Sequence, residues 1–269
     1  MKIGVFYQST GKKIAACYKA IEQFRKFNPD VPISLWEDGT KDMLKIVAEK
    51  LNCTHRNTNS YGENTQGQGR PFVGDINATF KWVDRIHTSV TNDLQDVDYV
   101  ILYEDDVWCR REIQIFPTLD LEGANGPLHS PELYSYLKEK FGVTDDVSRN
   151  HWSRLGSLQS YGACGGTIFS REKFIKCYEN FWNIPWDEIY KLDSRCIEWC
   201  DNHLSFLFQY NGYTTGIWAD WGQYDNRNEG NWFDKTGWCV PMEEQKNAAF
   251  LHAYKQFYNY TPEEVGLVI

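Results

Sequence analysis

The chain has 269 residues, a formal net charge of −9 and 16% aromatic side chains. That length suits one large α/β domain or two small ones with a core that needs no staples, and an acidic balance without clustered Lys and Arg disfavours a nucleic-acid face. No apolar run approaches the ~20 residues that span a bilayer, while abundant Trp and Tyr suit flat or ring-shaped ligands such as sugars.

Residues 3–7 read as a strand. Residues 12–27 read as a helix with Ile14, Cys17, Tyr18, Ile21 and Phe24 on one face, stopped at Asn28-Pro29. A second strand at 31–36 is closed by Glu37-Asp38-Gly39-Thr40, a second helix covers 42–51 and a third strand 53–56. This alternation predicts βαβ units and a parallel sheet. Residues 57–69 form a polar, Gly-rich loop, and a helix opens at Arg70-Pro71 and runs to His87.

The run Tyr99-Val100-Ile101-Leu102-Tyr103 suits a strand covered on both faces, and it ends in Glu104-Asp105-Asp106. Three adjacent carboxylates repel one another unless a divalent cation or a ring of donors neutralises them. Carboxyl ends of strands are also where open α/β sheets hold ligands. Residues 111–160 lose regular pattern and read as an insertion containing a short helix at 131–141. Regular structure returns with a strand at 165–169, helices at 171–182 and 194–210, and a final strand at 213–218. One domain in two unequal halves is the simplest account: residues 1–110 as a nucleotide-binding half and 111–269 as a substrate half. The eight cysteines are scattered without a CxxC pair and no leader pattern opens the chain, so reduced thiols and a soluble, cytoplasmic protein are expected.

In their order and placement these motifs resemble the GT-A glycosyltransferases, which move a sugar from a nucleotide-diphosphate donor. The resemblance covers most of the chain and implies a Rossmann-like, mixed but mostly parallel sheet flanked by helices. Glu104-Asp105-Asp106 stands where that family carries its DxD motif, here as an EDD variant. It implies Mn²⁺ or Mg²⁺ on Asp106, with Glu104 and Asp105 supporting the ribose and the surroundings of the ion. Ile33-Ser34-Leu35-Trp36-Glu37-Asp38-Gly39-Thr40-Lys41-Asp42 resembles the second-strand motif that binds the base, through Asp38 or alternatively Glu37. Tyr7, Gln8 and Ser9 stand beside it to stack on or bond the base. Arg70 occupies the place of a basic residue near the base or diphosphate, and it reads equally as a surface arginine.

Tyr161-Gly162-Ala163-Cys164-Gly165-Gly166-Thr167 resembles the strand that brings backbone close to the donor sugar at Gly165 and Gly166; a Gly-Gly bulge is the competing account. Glu198-Trp199-Cys200-Asp201-Asn202-His203-Leu204 resembles the segment whose acid deprotonates the acceptor in inverting members. Asp201 is the first candidate, then Glu198 and Asp193. Phe250-Leu251-His252-Ala253-Tyr254-Lys255 resembles a late motif in which His252 completes the metal site and Lys255 reaches the diphosphate. Trp218, Asp220, Trp221 and Tyr224 are candidates for an acceptor-binding wall.

The resemblance therefore implies a metal-dependent transferase using a UDP-sugar and a glycan or other hydroxyl acceptor, with inversion at the anomeric carbon. Two alternatives stay open. The Gln8-Ser9-Thr10-Gly11-Lys12-Lys13 turn has some character of a sugar-phosphate nucleotidyltransferase, and a non-catalytic carbohydrate-binding protein would keep the same fold.

Overall fold

A computed structural model of the chain describes residues 1–39, 41–58, 76–149, 157–162, 166–198, 200–223, 247–252 and 254–268. In order, the elements are β1 (Ile3–Ser9), α1 (Ile14–Phe27), β2 (Ile33–Glu37), α2 (Lys45–Leu51), β3 (Thr54–Asn57), α3 (Ile76–Thr88), β4 (Tyr99–Tyr103) and β5 (Trp108–Cys109). The second half adds β6 (Leu121–Gly123), β7 (Asn125–Leu128), α4 (Pro131–Phe141), β8 (Ser148–Arg149), β9 (Gln159–Tyr161), β10 (Thr167–Ser170) and α5 (Arg171–Asn180). It closes with α6 (Trp186–Leu192), α7 (Arg195–Glu198), α8 (Cys200–Tyr210), β11 (Thr215–Ile217), β12 (Trp221–Gln223) and β13 (Phe250–His252).

The central sheet has eight strands in the order β3-β2-β1-β4-β10-β6-β11-β8, parallel throughout except for β10. The chain builds β1, β2 and β3 in one direction and then returns to place β4 on the other side of β1. That reversal is a topological switch point, and it leaves a crevice beyond the carboxyl ends of β1 and β4. Ser9 and Glu104 stand at those two ends, since Tyr7 pairs with Tyr103 in the β1–β4 register.

Alternation along these strands explains why both faces are covered. Ile3, Val5, Tyr7, Ile101 and Tyr103 pack with α1 and α2 residues such as Ala20, Phe24 and Val47, whereas Phe6, Val100 and Leu102 pack on the other face with Val83, Ile86 and Phe174. Gly4 fits there because a Cβ would lie 2.9 Å from Leu94. Helix α4 starts on a Ser130 cap accepting from the Leu133 N–H and ends at Gly142 with a φ of 69°.

Residues 111–160 are not wholly an insertion: Leu121–Gly123 and Ser148–Arg149 are strands of the central sheet. Runs of two or three residues are too short to show a period of two, so the sequence pattern could not reveal them. The helix read at 194–210 is described as α7 and α8, and no described helix is long and apolar enough to cross a membrane. Cys17, Cys53, Cys109, Cys177 and Cys196 are free thiols.

Two buried histidines tie stability to pH. His203 stacks on Trp186 with ring centroids 4.9 Å apart and engages the Cys196 carbonyl through Nδ1 at 2.7 Å; Nε2 of His129 lies 3.1 Å from the Gln209 amide oxygen. Burial lowers each to about 4. The unfolded chain binds a proton on each below about 6.5, so stability rises with pH between about 4 and 6.5 and is lost on acidification, by up to about 1.4 kcal/mol per pH unit per imidazole. We expect His203→Phe to give a shallower fall in Tm between about pH 7 and 5. An unchanged slope would show that this imidazole does not govern the acid limb.

Candidate active site

The crevice at the switch point is built from four pieces of chain. β4 delivers Glu104, Asp105 and Asp106 in a turn closed by the Val107 N–H donating to the Glu104 carbonyl at 3.3 Å. β5 follows and pairs antiparallel with β13, Leu251 opposite Trp108, which brings the end of β13 alongside the acids. The Tyr254 N–H then donates to the Asp106 carbonyl at 2.8 Å, pinning the late segment to the acidic turn. β10, antiparallel to β4, brings Gly166 to the same edge.

Ligand atoms of Glu104, Asp106 and His252 lie within 4.8 Å of one another. Nε2 of His252 is 3.5 Å from Asp106 Oδ1, and Lys255 Nζ is 3.5 Å from Asp106 Oδ2. Burial lowers the imidazole pKa despite the Asp106 charge, which leaves a neutral nitrogen suited to ligation. Two carboxylates and one imidazole are a donor set that fits Mn²⁺ and also admits Mg²⁺.

Asp105 has a different task from its neighbours. Its carboxylate accepts from the Tyr7 hydroxyl at 2.9 Å and the Ser9 hydroxyl at 2.8 Å. Burial raises it to about 7, opposed by those two hydrogen bonds and reinforced by Asp106. Tyr7 is wholly buried, with its ring centroid 5.6 Å from that of Tyr103, so the expectation that it stacks on a base is corrected: it acts on Asp105.

At the end of β2 the two acids separate clearly. Glu37 accepts from the Met43 and Leu44 N–H groups at 2.8 and 2.9 Å and lies 3.0 Å from His55 Nε2, so its charge serves the turn into α2. Asp38 is buried beside β1, its N–H donating to the Ser9 carbonyl at 2.8 Å and one oxygen accepting from Thr58 at 3.1 Å. Gln8, between Tyr7 and Ser9, has a buried side-chain amide with no partner among the described residues for either its oxygen or its nitrogen. Such a group calls for a ligand or a water.

Gly166 faces Trp221: a Cβ there would lie 1.8 Å from Cε2 of the indole. The same indole stacks on His252 at 6.1 Å between centroids and 22° between planes. Backbone closeness at Gly166 is thus spent on the ring that backs His252. Sequence reading missed this link because residues from β10, β12 and β13 meet only in the fold.

The acceptor wall is corrected. Trp218 and Trp221 are core residues, 0% and 1% exposed. Asp220 is fully buried, ion-paired with Arg111, and accepts from the Gln114 and Ile115 N–H groups at 3.0 and 2.9 Å, so it anchors the 111–115 segment. We expect Asp220→Ala to cost about 3 kcal/mol, because it leaves two amide donors without their acceptor and Arg111 without its buried carboxylate; a urea midpoint unchanged from the parent would refute this role.

Glu198 accepts from the Tyr190 hydroxyl at 2.9 Å and the Ser194 hydroxyl at 3.1 Å, and Asp193 pairs with Arg195 at 2.7 Å while accepting from the Ser130 N–H. Asp193 is therefore a structural acid. Arg70, Gly165 and Tyr224 and the side chain of Asp201 lie outside the described residues.

No protein-family model and no curated protein matches the chain. Among solved structures it is similar to the galactosyltransferase LgtC in complex with donor and acceptor sugar analogs, with a TM-score of 0.50 and 14% identity over 94% of this chain and 86% of that one. Together with the sheet order, that likeness gives this chain the mixed α/β GT-A fold.

Proposed function

We propose that the chain is a metal-dependent glycosyltransferase that takes a sugar from a nucleotide-diphosphate donor, a UDP-sugar in the first instance, and passes it to a hydroxyl of a glycan or similar acceptor. The observation that carries this reading is the Glu104, Asp106 and His252 cluster at the β1–β4 switch point. The structural likeness to a galactosyltransferase solved with donor and acceptor analogs supports it.

Glu104, Asp106 and His252 would hold the Mn²⁺ or Mg²⁺. Bound there, the ion supplies positive charge against the anion that develops on the departing diphosphate. Lys255 adds an ammonium beside Asp106. Asp105, tied to Tyr7 and Ser9, holds the end of β1 against the acidic turn, so the ligand-bearing residues need no rearrangement before the donor arrives. The orphaned Gln8 amide offers one donor and one acceptor to the base or ribose, with Asp38 beside it. Of the acids considered for deprotonating the acceptor, Glu198 has both oxygens engaged by hydroxyls, which leaves Asp201 as the candidate base for an inverting displacement.

Release of UDP or GDP from a panel of nucleotide sugars, with Mn²⁺ and with EDTA, tests the proposal. Metal-dependent release with one donor preferred is expected, and the anomeric configuration of the product reads the stereochemistry. Pyrophosphate release from a nucleoside triphosphate and sugar phosphate would replace this reading by a nucleotidyltransferase. Failure of all donors to bind in the presence of Mn²⁺ would remove it.

A further inference from the structure

Between the acidic turn and the start of α1 stands Tyr258, carried by the short turn Lys255–Asn259, which packs against α1. Its ring is approached by two ammonium groups: Lys255 Nζ lies 5.8 Å from the centroid and Lys13 Nζ lies 5.9 Å from it. These lysines come from opposite ends of the chain, and both lie within cation–π distance of one aromatic ring. The phenol lies in the field of Asp106, Asp105 and Glu104, which with burial raises its pKa. Lys255 is itself 3.5 Å from Asp106, so the ring that Lys13 approaches stands beside the acidic turn.

The turn that precedes Lys13 is built on the same hydrogen bonds that hold Asp105. Asp105 accepts from Ser9 Oγ at 2.8 Å, and Ser9 Oγ accepts from the Gly11 N–H at 3.3 Å. Gly11 takes a φ of 69°, where a Cβ would also meet Glu37 Oε1 at 2.7 Å, and this sharp turn leads straight into Lys12 and Lys13. Lys13 is the residue before α1; its side chain caps nothing, and the first turn of the helix holds no acid. The positive end of α1 thus adds to the ammonium instead of being neutralised locally.

We propose that Lys13 is a second cation for the diphosphate of the donor, held beside Lys255 by the Tyr258 ring. The inference rests on the reading of the site as a nucleotide-diphosphate site and deepens it: recognition of the second phosphate is shared between the metal cluster and a protein-borne pair of ammonium groups. Lys13 consequently distinguishes a nucleoside diphosphate from a monophosphate, because only the former carries charge far enough along to meet both lysines.

Calorimetry with UDP and UMP in the presence of Mn²⁺, or with GDP and GMP if only guanine nucleotides bind, tests this on the full chain. Lys13→Ala is expected to lower the diphosphate-to-monophosphate affinity ratio about fivefold, the scale of one solvent-exposed charge contact. Lys13→Arg should retain most of the ratio. Lys26→Ala, which removes the same charge at the far end of α1, should leave it unchanged. An unaltered ratio in Lys13→Ala, with wild-type diphosphate binding intact, overturns the inference alone. Absence of diphosphate binding by the wild-type chain overturns the functional reading and the inference with it.

Discussion

Replacing Asp106 by Ala is expected to abolish Mn²⁺ binding and lower turnover by about a thousandfold, the scale seen when a principal electrostatic stabiliser of a transition state is lost. Asp106 lies 3.5 Å from His252 and 3.5 Å from Lys255, and its own carbonyl receives the Tyr254 N–H. Removing the carboxylate therefore leaves an imidazole and an ammonium facing one another across a half-built site. Asp106→Asn separates charge from shape, since it keeps the volume and loses the anion. Both variants should retain the fold, because the backbone bond to Tyr254 does not depend on the side chain. Manganese titration followed by electron paramagnetic resonance reads binding, and donor hydrolysis reads turnover. Tight Mn²⁺ binding by Asp106→Ala would show that the ion, if used, sits elsewhere. Asp105→Asn gives the contrast: both oxygens of Asp105 are already occupied by Tyr7 and Ser9, so metal affinity should fall far less.

Gly166→Ala is expected to be the most damaging Gly→Ala change among the described residues. Its Cβ would meet Trp221 Cε2 at 1.8 Å and Nε1 at 2.2 Å, and neither partner is a flexible tip that can swing away. Trp221 is 1% exposed and is packed near Trp218 and Phe250 as well as stacked on His252. Overpacking of this kind costs about 1–3 kcal/mol, and more where the obstructing group is a buried ring. The strain would also displace the surface that orients His252, so metal affinity should fall together with stability. Thermal unfolding and intrinsic tryptophan fluorescence measure the first effect, and Mn²⁺ titration measures the second. Pairing the change with Trp221→Leu should recover part of the stability, because the smaller side chain vacates the space, yet metal affinity should stay low without the stacked ring. A Gly166→Ala protein with parental Tm and parental Mn²⁺ affinity would refute both parts.

The crevice also explains why the members of one acidic triplet divide between two places. A strand end releases consecutive side chains in different directions once the pleat gives way to a turn. Asp105 turns towards the first strand and is consumed in holding it, whereas Glu104 and Asp106 converge with His252. A sequence pattern records that three acids are adjacent but not which way each one points.

Much of the architecture was nevertheless legible. The apolar runs of β1, β2 and β4 and the one-sided pattern of α1 are long enough to declare their period, and they predicted the parallel half of the sheet. The acid triplet after β4 and the late histidine and lysine were legible as candidate residues, and the fold brings Glu104, Asp106, His252 and Lys255 together. Short-range rules went no further. The two- and three-residue strands β5, β6, β8, β12 and β13 exist because neighbours supply their hydrogen bonds, so no local signal announces them. Glu37 and Asp38 are adjacent acids in one motif, and only the position of the α2 turn assigns the first to amide donors and the second to the crevice. Trp218, Asp220 and Trp221 looked like a binding wall by composition, and burial made them core and anchor. The sequence by itself determined the class of fold and the elements that carry the acids, since backbone period and local charge are properties of neighbours in the chain. Which acids converge with His252, which glycine yields to a tryptophan and which two lysines approach one tyrosine ring were decided by tertiary structure, because those are contacts between segments that only the packed sheet brings within a few ångströms.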